Sequence, residues 1–201
     1  MDNKFLNDLK DMVNENVETS KDKELEDLKG LEIGSQLHED WRKTRLREDG
    51  SYEPRWKKVK DKEFEFKESN TCRKNKDGDV EIDIANRNFN ELSTDWKYEN
   101  LEAGKVVAKL VGNKTELSDE ERDKMATIIH EEWLKRNDWV FDKEYGNPAQ
   151  AVPFANLSEE EKNKDRDQLK FGIDLNKKLE TGSITKKKLK EKFEMDKEKN
   201  I

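Results

Sequence analysis

The sequence is defined first by what it leaves out: it holds one cysteine, two histidines and few aliphatic side chains. The lone Cys72 excludes an internal disulfide and gives no basis for a cysteine metal cluster. Its setting, "NTCRKNKDGD", places no histidine nearby, which argues against a nucleophilic thiol. No apolar run approaches the length of a membrane span, and the start "MDNKFLNDLK" lacks the pattern of a secretion signal. A soluble cytoplasmic protein that does not engage a membrane is therefore expected. There is no Gly-rich phosphate loop and no Ser/His/Asp ordering. Leu, Ile, Val and Phe make up roughly a fifth of the chain, close to the disordered range.

What is present is charge and tryptophan. Charged residues are 44% of the chain, but its 41 basic and 48 acidic side chains are interleaved, giving a net charge of −7. No basic domain stands out, so a nucleic-acid polymer is not an expected partner. The run "KKKLKEK" at 186–192 reads as the solvated face of a helix. Trp41, Trp56, Trp96, Trp133 and Trp139 all fall in the middle of the chain, where indole burial anchors a modest core. The flanks, 1–30 and 180–201, carry none and are expected to be less ordered.

Both histidines lie in one motif, "HEDW" at 38–41 and "HEEW" at 130–133, separated by an offset of 92 residues. A second pair follows: "FNELSTDWK" at 89–97 matches "FANLSEEEK" at 154–162, at an offset of 65. Order is preserved, so the chain reads as two related halves. The middle of the first half is 27 residues longer than that of the second. The extra piece reads as two short strands around the Asp77-Gly78 turn signal.

Helix starts are legible from capping chemistry. Ser118 with Glu121, and Ser158 with Glu161, form capping-box patterns, and Ser93 stands where it can cap in the same way. Met125, Ile128, Ile129 and Trp133 make one apolar stripe on a helix ending near Arg136 and Asn137. Phe5, Leu9, Val13 and Val17 predict a leading amphipathic helix, and Leu189 and Phe193 a short terminal one. The predicted fold is mainly α, two related helical hairpins with short β-hairpin additions. Its divisions are an N-terminal helical segment (1–30), a first repeat with an insertion (31–112), a second repeat (113–180) and a charged C-terminal tail (181–201).

His130 with Glu131 invites a metal-dependent hydrolase reading, but a zinc-protease helix needs a second histidine where Leu134 stands. The plainer reading makes His38, Trp41, His130 and Trp133 structural: histidines bonded at the core rim, tryptophans filling the junction between helices. In "DWVFDKEYGNP", Trp139 and Phe141 alternate as if on the buried face of a short strand, with a ligand platform as the alternative. Tyr52, Arg55 and Trp56 occupy the matching place in the first half. Aromatics beside Arg and Lys could clasp a planar anion, although such mixtures are also ordinary packing.

The order of features in "MATIIHEEWLKRNDWVFDKEYGNPAQAVPFANLSEEEKNKDR" (125–166) resembles the RyR domain, the repeat of ryanodine receptors and of small bacterial and phage proteins. His130, Glu131, Trp133, Trp139, Phe141, Pro153, Phe154, Leu157 and Glu161 carry the resemblance. His38, Glu39, Trp41, Tyr52, Phe89, Leu92 and Ser93 form a divergent second copy. The resemblance implies a tandem helical module with approximate two-fold symmetry, a binding role and no catalytic residues. The expected function is thus non-catalytic binding of a small anionic, nucleotide-like ligand or a protein partner, with no metal or cofactor. Tyr52, Arg55, Trp56, Trp139 and Tyr145 are the expected ligand contacts, between the halves. A structural scaffold is the first alternative and a metal-dependent hydrolase the second.

Overall fold

A computed structural model describes residues 20–142 and 146–198. Among the described residues, five α-helices and a three-stranded antiparallel sheet make a mainly α fold with short β additions. Helix α1 (Ser20–Lys43) is followed by strands β1 (Trp56–Lys58), β2 (Cys72–Lys74) and β3 (Val80–Asp83), then helix α2 (Thr94–Val111). Helices α3 (Asp119–Arg136), α4 (Glu159–Glu180) and α5 (Lys186–Glu198) complete it, with short 3₁₀ turns at Phe89–Glu91, Asp138–Phe141 and Phe154–Asn156.

The repeat found in the sequence is kept in the bonding. His38 Nε2 meets the Arg87 carbonyl at 2.9 Å, and His130 Nε2 meets the Val152 carbonyl at 2.8 Å. The two carbonyls are themselves separated by the offset of 65 residues that relates Phe89 to Phe154. A carbonyl only accepts, so each Nε2 carries the proton and donates. Each bond pins a HExW helix to the loop that leads into a Phe-containing 3₁₀ turn. Leu92 and Leu157 then close those turns before the next helix begins, and both are buried.

Helices α1 and α2 approach through glycine. A Cβ on Gly104 would fall on the Gly30 carbonyl and 2.5 Å from the Gly34 nitrogen, so nothing larger than glycine fits this crossing. In the second half Leu169 stands where Gly104 stands in the first, at the same offset of 65, and it is buried in the main core. That core joins Leu28 and Ile33 of α1 to Val107 and Val111, Met125 and Ile129, Leu169 and Leu175, and Leu189 and Phe193 of α5. The terminal helix read through Leu189 and Phe193 is present in the charged tail, and it is docked on the core. Leu189 is fully buried, and Lys192 donates to Glu32 of α1 at 2.6 Å. Likewise, part of the flank expected to be less ordered belongs to the core, since Leu28 and Lys29 are buried. Phe5, Leu9, Val13 and Val17 lie outside the described residues.

A second core lies under the sheet, where Cys72, Ile82, Ile84, Phe89 and Leu92 pack with Trp41 and Trp96. The hairpin around Gly78 is as read from the sequence, and φ of +83° there explains the glycine. Strand β1 was not foreseen; it lies on the other side of β3, with Lys57 opposite Ile82. The strand expected at Trp139 and Phe141 is a 3₁₀ turn instead. Its backbone turns Val140 into the core and leaves Trp139 45% and Phe141 57% exposed, the reverse of the expected burial. Of the predicted capping boxes, that of Ser118 and Glu121 is complete. Ser158 accepts from Glu161, whose own carboxylate goes to Gln150 and Lys164. Ser93 makes no cap bond, and its hydroxyl is buried without a partner.

Candidate functional site

The two histidine motifs share a frame and differ in what completes it. In the first half Glu39 accepts from the Phe89 amide at 2.9 Å and from Arg42 at 2.7 Å. Arg42 in turn donates to the Ala85 carbonyl and lies over the Tyr52 ring, 4.5 Å from its centroid. Burial lowers the pKa of His38 below its ordinary value, against the opposing effect of the Arg87 carbonyl. In the second half His130 meets a carboxylate, with Nδ1 3.2 Å from Asp165 Oδ2. Burial alone would lower the pKa of His130, but the bonds to Asp165 and the Val152 carbonyl outweigh it and hold it above the ordinary value. Asp165 is itself raised, chiefly by burial. Asn100 stands where Asp165 would be in the first half, so the two histidines are tuned in opposite directions.

Both ring nitrogens of His130 are engaged, and the residue is 3% exposed. A general base or metal ligand needs a free nitrogen within reach of substrate. In both copies the motif histidine is buried and bonded through Nε2 to a loop carbonyl.

The halves meet around Lys57. Because Lys57, Ile82 and Cys72 pair across the sheet, they share its inner face. The ammonium of Lys57 sits 5.4 Å from the centroid of Trp96, at the start of α2, and 5.5 Å from that of Trp139, beyond α3. One indole comes from each half. Trp96 is held by its Nε1, which donates to the Lys58 carbonyl at 3.2 Å. The Asp95 carboxylate beside it accepts from the Lys60 amide at 2.9 Å, so the first turn of α2 is stitched to β1 and the chain after it. Trp139 is held by Asn137, which accepts from its Nε1 at 2.9 Å and donates back to the Trp133 carbonyl. Edge-on contact with Trp133, at 6.2 Å and 84°, completes its seat.

Among the described residues no carboxylate pairs with Lys57. Burial lowers its pKa, and the charges of Arg55 and Lys60 add to the effect. Lys57 thus stands half-buried between two indoles, with Arg55 and Lys60 near enough to act on its charge.

The expected ligand contacts separate in space. Trp139 is at the junction. Arg55 is exposed and fixed through its amide to the buried Asp83. Trp56 faces the other side of the sheet, under the Arg73 guanidinium at 3.9 Å. Tyr52 is stacked against Arg42 and tied by its backbone to Asn86. Tyr145 lies outside the described residues. Lys57 and Trp96 were missed: side-chain alternation in β1 puts Lys57, and not its neighbours, on the inner face, and only the strand register decides which.

Comparison with protein-family models, with curated proteins and with solved structures finds no match to this chain.

Proposed function

We propose that this chain is a non-catalytic binding module, of tandem RyR-like design, that holds a small planar anion where its two halves meet. The observation that carries the reading is the Lys57 ammonium, set between Trp96 and Trp139 with no carboxylate partner among the described residues. A half-buried cation with no bonded carboxylate among the described residues favours an incoming anion. Exposed indole beside it offers a stacking face, and such stacking contributes roughly 1–3 kcal/mol per base in nucleic-acid sites. Arg55 and Lys60 add attraction from further away. The RyR-like order of features enters as architecture: it accounts for two HExW fastenings that leave one interface between them.

A protein partner is favoured by a separate observation, the exposure of both Trp139 and Phe141. Titration with adenosine monophosphate, followed by tryptophan fluorescence, separates the readings. Lys57→Gln and Trp139→Ala should each weaken binding roughly tenfold or more, the range expected for a lost cation or stacking contact. Trp56→Ala, on the opposite face of the sheet, should leave it unchanged. Equal loss in all three variants, or no response in the wild type, would refute the anion site.

A further inference from the structure

A second cation borders the same junction. Arg136 ends α3, three residues before Trp139, and its buried Nε has no hydrogen-bond partner. Glu99 Oε2 lies 3.9 Å from it, beyond hydrogen-bond reach. Glu99 lies one turn after Trp96 on α2, on the same face of that helix. Lys57 and Arg136 therefore both border one strip of α2, the first over Trp96 and the second beside Glu99, and Trp139, three residues after Arg136, meets Lys57. An orphaned guanidinium nitrogen is costly to leave buried, and one that still lacks an acceptor is ready to take an oxyanion.

We infer that the anion taken at this junction is a phosphomonoester, bound by Lys57 as a point charge and by the fork of Arg136, with its ring against Trp139. This rests on the reading of the junction as an anion site and names the class of anion. Two cations on separate elements match a tetrahedral dianion, whereas a monocarboxylate would leave one of them uncompensated. Arginine suits the bidentate share of the contact, because its planar fork matches two phosphate oxygens. Glu99 opposes the ligand: it is 39% exposed and shares Arg136 only loosely, so phosphate must displace that weak pairing. The shared chemistry is the phosphomonoester, which inorganic phosphate also carries in part, and the ring is what distinguishes a nucleotide from it.

Calorimetric titration of the full chain with adenosine monophosphate, adenosine, inorganic phosphate and orotate (a planar carboxylate) tests the inference. Adenosine monophosphate should bind roughly tenfold more tightly than the other three, a gap of about 1.4 kcal/mol. Arg136→Gln should lower its affinity to that of orotate while leaving orotate unchanged, and Arg136→Lys should recover part of the loss. Glu99→Gln should tighten nucleotide binding, an effect that a merely structural Arg136 would not produce. Equal affinity for nucleotide and orotate, or equal loss of both in Arg136→Gln, would overturn the phosphomonoester assignment while leaving the anion site standing. Inorganic phosphate binding as tightly as the nucleotide would remove the ring from the recognition. Binding of none of the four by the folded protein would refute the anion site itself, and this inference with it.

Discussion

At the scale of the residue, the clearest result is that one motif carries two histidines of opposite character. His38 and His130 make the same bond to a carbonyl, and only His130 adds a carboxylate. Proton NMR of the two imidazoles should find His38 titrating below about 6.5 and His130 above it, the ordinary value lying near there. The signs for stability follow. The raised value of His130 gives a contribution present below about pH 6.5 and lost as pH rises through its folded value. Asp165, raised mainly by burial, has the same sign in a lower window. The lowered value of His38 gives a contribution present above about pH 6.5 and lost as pH falls through its folded value. Asp165→Asn should bring His130 down toward or below the ordinary value, and Asp165→Ala should cost about 1–3 kcal/mol for the ring nitrogen left buried without a partner. If His130 titrates below His38, the assignment of Asp165 as its partner is wrong. The histidines could be found in the sequence because their motif repeats. Asp165 could not, since it sits on a later helix among many other acidic residues.

At the scale of the element, caps and close approaches determine more than hydrophobic pattern does. Ser118 and Ser158 both cap their helices, the predicted box closing only at Ser118, whereas the Ser93 hydroxyl stands at the same place and bonds nothing. The difference arises in the tertiary structure, where the α2 start is stitched to β1 through Asp95 and Trp96. The alternation of Trp139 and Phe141 was misleading for a similar reason: a 3₁₀ turn buries Val140 between them, and three residues are too few to tell that period from a strand. The glycine crossing of α1 and α2 could not be read at all, because isolated glycines carry no partner information. Gly104→Ala should destabilise the protein by more than the 1–3 kcal/mol typical of overpacking, since its Cβ meets backbone on α1. Gly172→Ala meets only the side chains of Val107 and Val111, at 3.1–3.3 Å, and should cost less. Urea unfolding of the two variants decides the point, and equal midpoints would mean that α1 and α2 do not touch through these glycines.

At the scale of the whole molecule, a repeated fastening produces a single interface. The halves follow one order of elements, yet the junction between them is asymmetric, because Trp96 is matched by Glu161 in the second half and the sheet belongs to the first alone. This asymmetry is what gives the chain one candidate site and not two. The sequence suggests a site between the halves, and Trp139, one of the residues it suggests, lies at that junction. It named Arg55 and Trp56 where the strand register presents Lys57. The central claim is that Lys57, Trp96 and Trp139 together form the binding surface. The indole N–H signals of the five tryptophans, followed by NMR as adenosine monophosphate is added, test it most directly. The signals of Trp139 and Trp96 should move furthest while those of Trp41 and Trp56 stay in place; largest movement at Trp41 or Trp56, or no movement of any signal, would contradict it.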